Sequence, residues 1–223
     1  MLNHRPISIS EQVFEQLEKD ILSGKYRKGE IVNELKLSEE LGVSRTPVRE
    51  SLSRLQQEHL LEDTGKGLIV VGISRQDMMD MYEIRLRLEG LATEMAAKNI
   101  TQEALDEIGE TLEMQNFFYE KALATGEDRS DKIKDLDSRF HEIIHESCGS
   151  NSLRDVLQPI HKKITKYRKA SVQKKSRAAE SLKEHYAIYE ALKSRDAEKA
   201  SELMLLHVKN ARDSIAQMPE TDD

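Results

Sequence analysis

From Ser74 onward the chain consists of long stretches with the apolar spacing of amphipathic helices, and this feature constrains the fold most strongly. One helix follows Ser74. Five more fit residues 101–125, 131–147, 151–173, 176–194 and 196–217. No convincing strand lies between them. The sequence therefore predicts an all-α domain of six helices over residues 73–223.

The composition agrees with a mainly helical protein. Charged residues make up 34% of the chain and aromatic residues 4%, and the charged share exceeds the average of about 25%. This balance favours helices with solvated outer faces. The only cysteine, Cys148, cannot form an intrachain disulfide. No apolar run reaches the roughly 18 residues of a membrane helix, and no signal-peptide core is present. These features predict a cytoplasmic protein.

Residues 1–72 predict a smaller domain of three helices and a β-hairpin. The helices fit residues 10–23, 34–41 and 44–58, with Ser10, Asn33 and Ser44 as N-caps. Gly42 gives a tight break before the third helix, and two short apolar runs flank a glycine-rich turn at residues 64–67. This order of elements outlines a winged helix-turn-helix with a hairpin wing.

The third helix carries side chains suited to reading DNA. Its first turns present Arg45, Thr46 and Arg49 on one side, and its apolar stripe faces inward. Arginine can bind a guanine edge through two hydrogen bonds, and Ser44 at the helix N-terminus suits a phosphate. An exposed helix that merely carries arginines fits the same spacing.

The glycine-rich turn would form the tip of the wing. Gly65 and Gly67 would let Lys66 and the hairpin backbone approach a duplex closely. Because the formal net charge is −7, any attraction to DNA must come from such a local basic surface.

A family resemblance supports the DNA-binding interpretation. The DNA-binding domain of the GntR superfamily of bacterial transcription regulators resembles the stretch GKYRKGEIVNELKLSEELGVSRTPVRESLSRLQQEHLL, and the match covers roughly residues 8–72. The resemblance implies that Arg45, Thr46 and Arg49 contact operator DNA, assisted by Lys66 and Gly67. It also implies a homodimer on a palindromic double-stranded operator.

A different motif, HEIIH, occupies residues 141–145. It matches H-E-x-x-H, the pattern of zinc proteases, in which Glu142 would be the general base. The sequence offers no convincing third ligand close downstream, and a metallohydrolase would leave the helix-turn-helix unexplained. We therefore expect a protein that is not an enzyme and has no catalytic residues.

The same histidines also fit a metal site of another kind. Asp137 and His141 are one helical turn apart and can reach one ion, and His141 and His145 satisfy the same condition. Asp137 and His145 are too far apart to share an ion easily. Two pairs therefore compete for His141.

Two later histidines, His185 and His207, bear on which of these two pairs would bind an ion. They are equally distant from residue 196, where two predicted helices meet, so an antiparallel hairpin would set them side by side. Three neutral imidazoles and one carboxylate suit a borderline divalent metal such as Zn²⁺ or Ni²⁺. By geometry alone, unconnected core histidines fit equally well.

A second resemblance covers about residues 76–212. The FCD effector domain of many GntR-type regulators is similar to YEIRLRLEGLATEMAA, DSRFHEIIHESCGSNSL and EHYAIYEALKSRDAEKASELMLLHV. It implies a FadR-type regulator of the shorter, VanR-like branch. In metal-binding members the matching ligands are Asp137, His141, His185 and His207, which leaves His145 outside the set.

Arg85 interrupts the apolar side of the first long helix. Its spacing allows an ion pair with Glu89, whereas the resemblance implies a clamp on the carboxylate of a small organic acid that also touches the metal. We expect a homodimeric, metal-containing repressor whose operator affinity depends on this effector. A regulator with a purely structural metal is the alternative.

Overall fold

The computed structural model describes residues 8–22, 24–171 and 175–217, and the side chains of these residues outside 166–176. Contacts divide the described chain into two compact units, the first ending at Arg75 and the second beginning at Gln76.

The first unit combines three helices with a small sheet among its described residues. In chain order the elements are α1 Ile9–Leu22, β1 Ile31–Val32, α2 Glu34–Leu41, α3 Arg45–Gln57, β2 Leu61–Asp63 and β3 Leu68–Val70. The sheet is antiparallel in the order β1-β3-β2, and Ile69 pairs with both Ile31 and Glu62. The winged helix-turn-helix prediction is confirmed, but the sequence reading missed β1 because two residues are too few to show a strand's alternation.

Capping explains where the helices of this unit begin. The Oδ1 atom of Asn33 accepts hydrogen bonds from the first backbone amides of α2, as predicted. The prediction for Ser10 is wrong, because the hydroxyl of Ser8 accepts from the amide of Glu11 and α1 starts earlier. Ser44 occupies the N-cap position of α3 without a side-chain capping bond.

Packing against α1 determines which face of α3 is buried. The apolar stripe of α3 is buried and consists of Val48, Leu52 and Leu55. The hydroxyl of Ser51 lies 2.9 Å from the carbonyl oxygen of Ser10 in α1. The guanidinium of Arg54 lies 3.6 Å from the ring centroid of Phe14 and pairs with Glu11 at 2.7 Å. The opposite face of α3 is consequently directed to solvent.

The described residues of the second unit form helices joined by loops. Its helices are α4 Arg75–Asn99, α5 Gln102–Thr125, α6 Ser130–Ser147, α7 Asn151–Ser171, α8 Lys175–Lys193 and α9 Ala197–Ala216. The predicted all-α architecture is confirmed. Helix α7 begins at Asn151, and the hydroxyl of Ser150, in the capping position, accepts a hydrogen bond from the amide of Leu153.

The α8–α9 turn is tied to the end of α4. Asp196 caps α9 by accepting from the amide of Lys199. Arg195 has a φ of 60°, and its guanidinium donates to the carbonyl oxygens of Ala97 and Ile100. These two bonds satisfy carbonyls that the end of α4 would otherwise leave unpaired.

Side chains of α9 lie against α4 at Gly90. A Cβ atom at this position would lie 2.9 Å from both Cγ of Leu205 and Oγ of Ser201. The absence of a side chain at Gly90 therefore leaves room for these two side chains of α9.

Candidate metal centre and candidate DNA interface

Three buried histidines from three helices converge in the second unit. His141 lies on α6, His185 on α8 and His207 on α9, and each offers a ring nitrogen within 4.8 Å of the others'. The Nε2 atoms of His185 and His207 are 3.4 Å apart, the side-by-side placement that their equal distance from the turn predicts. The three imidazoles form a compact donor set.

A carboxylate orients His207. Oε2 of Glu184 accepts a hydrogen bond from Nδ1 of His207 at 2.7 Å, which leaves the lone pair of Nε2 directed into the cluster. Arg177 and Asn210 both donate to Glu184. Burial opposes ionisation of Glu184, but the bonds from His207 and Arg177 outweigh it and lower the pKa of this carboxyl to about 2.

Burial keeps the clustered imidazoles neutral. It lowers the pKa of His141 well below its ordinary value and the pKa of His185 to about 3. It also lowers the pKa of His207, although the bond to Glu184 acts in the opposite direction. Neutral imidazole is the form that binds a metal ion.

Asp137 lies beside this triad. Its Oδ1 atom is 3.8 Å from Nε2 of His185 and accepts a hydrogen bond from the hydroxyl of Ser181 at 3.5 Å. The chain thus brings all four sequence-predicted ligands to one place, with the carboxylate at the edge of the three imidazoles.

Sequence reasoning assigned no role to His161 of α7, which joins the same cluster. Its ring centroid lies 4.4 Å from that of His141, and Glu89, His141 and His161 form a second group of potential ligands. Leu157, His161 and Ile164 follow helical spacing and are all buried. That apolar stripe was the signal that could have placed His161 in the interior.

A buried ionic network adjoins the histidines. Nε of Arg85 donates to Oε1 of Glu89 at 2.7 Å, and Oε2 of Glu89 lies 2.9 Å from Nε2 of His145. Burial raises the pKa of Glu89, but the charge of Arg85 and the contact with His145 outweigh it and hold the pKa well below its usual range. The ion pair predicted from spacing is therefore present.

This network leaves polar atoms unsatisfied. Nη2 of Arg85, the hydroxyl of Tyr82 and the hydroxyl of Thr93 are buried without a hydrogen-bond partner among the described residues. All three side chains belong to α4 and share its inward face. Because unpaired buried polar groups are costly, these atoms mark a place where a polar ligand would be stabilised.

The HEIIH motif does not assemble a protease centre in the described structure. His145 is bonded to Glu89, and its ring centroid lies 6.3 Å from that of His141. The carboxylate of Glu142 pairs with Lys162 at 3.4 Å and Arg139 at 3.6 Å. The motif's two histidines thus serve different networks.

On the first unit, the predicted DNA-contacting residues lie at the exposed start of α3. Ser44, Arg45, Thr46 and Arg49 are all exposed. Sequence reasoning missed Glu34 of α2, which receives hydrogen bonds from both arginines. Only the packing of α2 against α3 brings these side chains together, so no local pattern could reveal the contact.

The wing presents the other predicted contacts. The turn between β2 and β3 is closed by a hydrogen bond of 3.2 Å from the amide of Thr64 to the carbonyl of Gly67. Gly67 has a φ of 135°, which favours glycine. Lys66 is exposed at the tip.

Comparison with known proteins agrees with both units. The model of the family described as "Bacterial regulatory proteins, gntR family" matches residues 9–70, and the FCD domain model matches residues 80–210. The chain belongs to the GntR family and carries an FCD domain. It is a DNA-binding transcription regulator.

Relatives that match most of the chain are named as transcription regulators or repressors. YdhC of Bacillus subtilis (strain 168), named as an uncharacterized HTH-type transcriptional regulator, is 30% identical over 91% of this chain and 89% of its own length. The repressor RspR of Escherichia coli (strain K12) is 24% identical over 94% and 90%. The gluconate operon repressor of Bacillus licheniformis is 27% identical over 81% and 74%.

A solved structure shares the fold. Escherichia coli McbR/YncC aligns with a TM-score of 0.73 at 22% identity, covering 95% of this chain and 98% of that one. The matched families and relatives are regulators, which confirms the prediction that this GntR-family chain is not an enzyme. Among the described helices, none combines the length and apolar character needed to span a membrane.

Proposed function

We propose that this protein is a cytoplasmic homodimeric repressor whose operator affinity is controlled by a small organic acid bound near a divalent metal. Residues 1–72 would bind DNA and residues 73–223 would hold the metal and effector. The observation that carries the proposal is the buried histidine triad next to polar atoms of α4 that have no hydrogen-bond partner among the residues the structure describes. Two relatives are named as repressors, which supports repression as the proposed mode of regulation.

The metal ligands in this proposal are Asp137, His141, His185 and His207. The donor set fits a divalent ion because its three ring nitrogens converge and burial keeps them neutral. Within the described part of the chain, the buried ring Nδ1 atoms of His141 and His185 have no hydrogen-bond partner. Such nitrogen-rich sites suit Zn²⁺ or Ni²⁺. A bound ion would supply a fixed positive charge that attracts a carboxylate.

Arg85 is the proposed contact for the effector. Its Nε atom is occupied by Glu89, whereas Nη2 is buried and free of hydrogen bonds within the described residues. A charge-assisted bond from this nitrogen would hold a carboxylate, and the hydroxyls of Tyr82 and Thr93 would accept or donate further bonds. The acid can change operator affinity only to the extent that it favours one dimer arrangement over another.

The proposed DNA contacts come from α3 and the wing. Arg45, Thr46 and Arg49 would reach base edges, Ser44 would meet a phosphate at the helix N-terminus, and the wing tip at Lys66 and Gly67 would approach the backbone. Their exposure on one unit supports this assignment.

An apolar stripe on α4 supports the homodimer. Ile84 and Leu91 are 40% and 47% exposed, and the partly exposed Leu88 and Met95 complete a heptad-like spacing. Against a second copy running antiparallel, Ile84 would face the partner's Met95 and Leu88 would face the partner's Leu91.

Charged residues beside this stripe would meet residues of opposite charge in an antiparallel second copy. Arg87 and Glu94 flank the stripe one heptad apart, so an antiparallel two-fold axis brings Arg87 of each copy near Glu94 of the other. This match favours a second copy of the chain as the occupant of the α4 surface.

The deciding experiment measures metal content per protomer by elemental analysis in wild type, His207→Ala and His145→Ala. We expect His207→Ala to lose the ion and His145→Ala to retain it. Loss that follows His145 instead would contradict the proposed ligand set.

The same protein samples test whether a small acid changes the affinity for operator DNA. We expect the metal-loaded wild type to change its affinity for a duplex selected by the wild-type protein when a panel of small carboxylic acids is added, as measured by fluorescence anisotropy. A metal-loaded protein that binds no acid, and a metal-free protein that unfolds, would favour the purely structural metal instead.

A further inference from the structure

Glu34 contacts both of the arginines that the proposed function assigns to DNA recognition. Its Oε1 atom accepts from Nε of Arg45 at 2.7 Å and from Nη2 of Arg49 at 3.0 Å. Its Oε2 atom accepts from Nε of Arg49 at 3.1 Å. One carboxylate of α2 therefore holds two guanidiniums of α3, and both arginines are more than half exposed while Glu34 is only 23% exposed.

The bonds occupy particular edges of the two guanidiniums. Arg49 uses the side edge formed by Nε and Nη2, and Arg45 uses Nε. The outer edge of each group, formed by hydrogens of the two terminal nitrogens, is not engaged by Glu34. That outer edge can donate the pair of parallel hydrogen bonds that reads O6 and N7 of guanine.

Glu34 has a defined place at the start of a capped helix. It is the first residue of α2, directly after the Asn33 cap. The hydrogen bonds from Arg49 and Arg45 lower the pKa of Glu34 to about 2, so the carboxylate is ionised at neutral pH.

We propose that Glu34 is a positioning residue that fixes Arg45 and Arg49 with their outer edges free, so that sequence discrimination depends on it. The inference rests on the proposed function, in which these two arginines contact the operator. An unbraced arginine loses side-chain entropy on ordering at the interface. Glu34 imposes that order before DNA binds.

The negative charge of Glu34 also favours sequence discrimination. A carboxylate near the phosphates weakens sequence-independent attraction, which arises from cationic side chains and DNA phosphates. Removing the charge should strengthen binding to any duplex, whereas removing the brace should weaken binding to the correct one. Both changes lower the ratio of specific to non-specific affinity.

The test compares Glu34→Gln with wild type in the full-length chain. Two probes are used: a duplex selected from a random library by the wild-type protein, and the same duplex with its G·C pairs replaced by A·T. We expect the affinity ratio between these duplexes to fall by about tenfold or more, within the discrimination of one guanine contact. Glu39→Gln, which removes an exposed carboxylate of the same helix, is the matched control and should keep the ratio.

A second variant separates the brace from the charge. Glu34→Asp keeps the negative charge but is too short to hold both guanidiniums, so we expect it to lose discrimination without a gain in non-specific affinity. Circular dichroism establishes that each variant is folded.

The opposite results overturn the proposal. If Glu34→Gln binds the selected duplex more tightly and keeps the ratio, Glu34 competes with DNA and does not position the arginines. An unchanged ratio in both variants also rejects it. Arg49→Ala separates this failure from failure of the proposed function: if Arg49→Ala keeps full discrimination, the assigned recognition residues themselves are wrong.

Discussion

At the scale of single residues, the second unit is organised by carboxylates that orient basic side chains. Glu184 fixes the tautomer of His207, and Glu89 joins Arg85 to His145. In each case a buried ion or dipole has its partner within hydrogen-bond distance, which is the condition for burying such groups at acceptable cost. The position of the candidate metal ligand His207 is therefore defined as much by the supporting carboxylate of Glu184 as by the imidazole itself.

The residue-scale prediction concerns Glu184→Gln. The amide preserves the shape of the carboxylate but removes its charge. The His207 imidazole therefore becomes a weaker electron-pair donor to a metal ion. We expect the affinity for Zn²⁺ to fall by about 10- to 100-fold, measured by competition with a chromogenic chelator.

Glu180→Gln provides the control for this measurement. Glu180 lies on the same helix, is exposed and pairs only loosely with Arg177 at 3.9 Å. Its substitution should leave zinc affinity unchanged. Equal affinity in Glu184→Gln and wild type would show that Glu184 does not support a metal ligand.

At the scale of elements, α4 and α9 lie close together at Gly90. The absent side chain of this glycine leaves room for Leu205 and Ser201. Arg85 lies on the same helix five residues before Gly90, nearly one and a half turns away, so a shift of α4 would displace this candidate effector contact.

The element-scale prediction compares Gly90→Ala with Gly109→Ala. Alanine improves helix propensity by about 1 kcal/mol at either site, but overpacking at position 90 costs about 1–3 kcal/mol. At position 109 the new methyl group meets only the hydroxyl end of Tyr189 at 3.1 Å, which can move.

Urea unfolding of both variants measures the difference. We expect Gly90→Ala to lower the unfolding midpoint and Gly109→Ala to leave it unchanged or raise it. A Gly90→Ala variant as stable as Gly109→Ala would mean that α4 and α9 adjust without cost.

At the scale of the whole molecule, a palindromic operator requires two copies of the recognition helix, so the proposed dimer interface is part of the function. The α4 stripe and its flanking charges supply a surface that is complementary to itself. Burying Ile84 and Leu91 in that interface would remove apolar side chains that a single chain leaves in contact with water.

The whole-molecule prediction is that Leu91→Glu converts the dimer to a monomer, because it places a charge in the apolar centre of the interface. Analytical ultracentrifugation measures the change. Leu123→Glu on α5, where the leucine is 50% exposed, is the matched control and should remain dimeric.

Exchange of the flanking charges makes the test specific for α4. Arg87→Glu should weaken the dimer, since it would face the partner's Glu94, and the double variant with Glu94→Arg should restore it. Dissociation caused by Leu123→Glu but not by Leu91→Glu would place the interface elsewhere.

Local signals in the sequence determined most of the secondary structure. Helical spacing, the Asn33 cap and the glycine-rich turn depend on residues close together in the chain, so their effects can be read without the fold. The meeting of His185 and His207 was also predictable, because a short turn fixes the register of an antiparallel helix pair. The strand at Ile31–Val32 was not, since its partner β3 lies far along the chain.

Only the tertiary structure decided which distant side chains share a site. The contacts of Glu34 with Arg45, of Glu89 with His145 and of His141 with His161 each join different helices. Such contacts depend on how each helix is rotated about its axis and how closely it packs against its neighbours. The sequence thus determined the family, the two kinds of domain and the candidate ligands, whereas packing determined how those ligands and the recognition arginines are held.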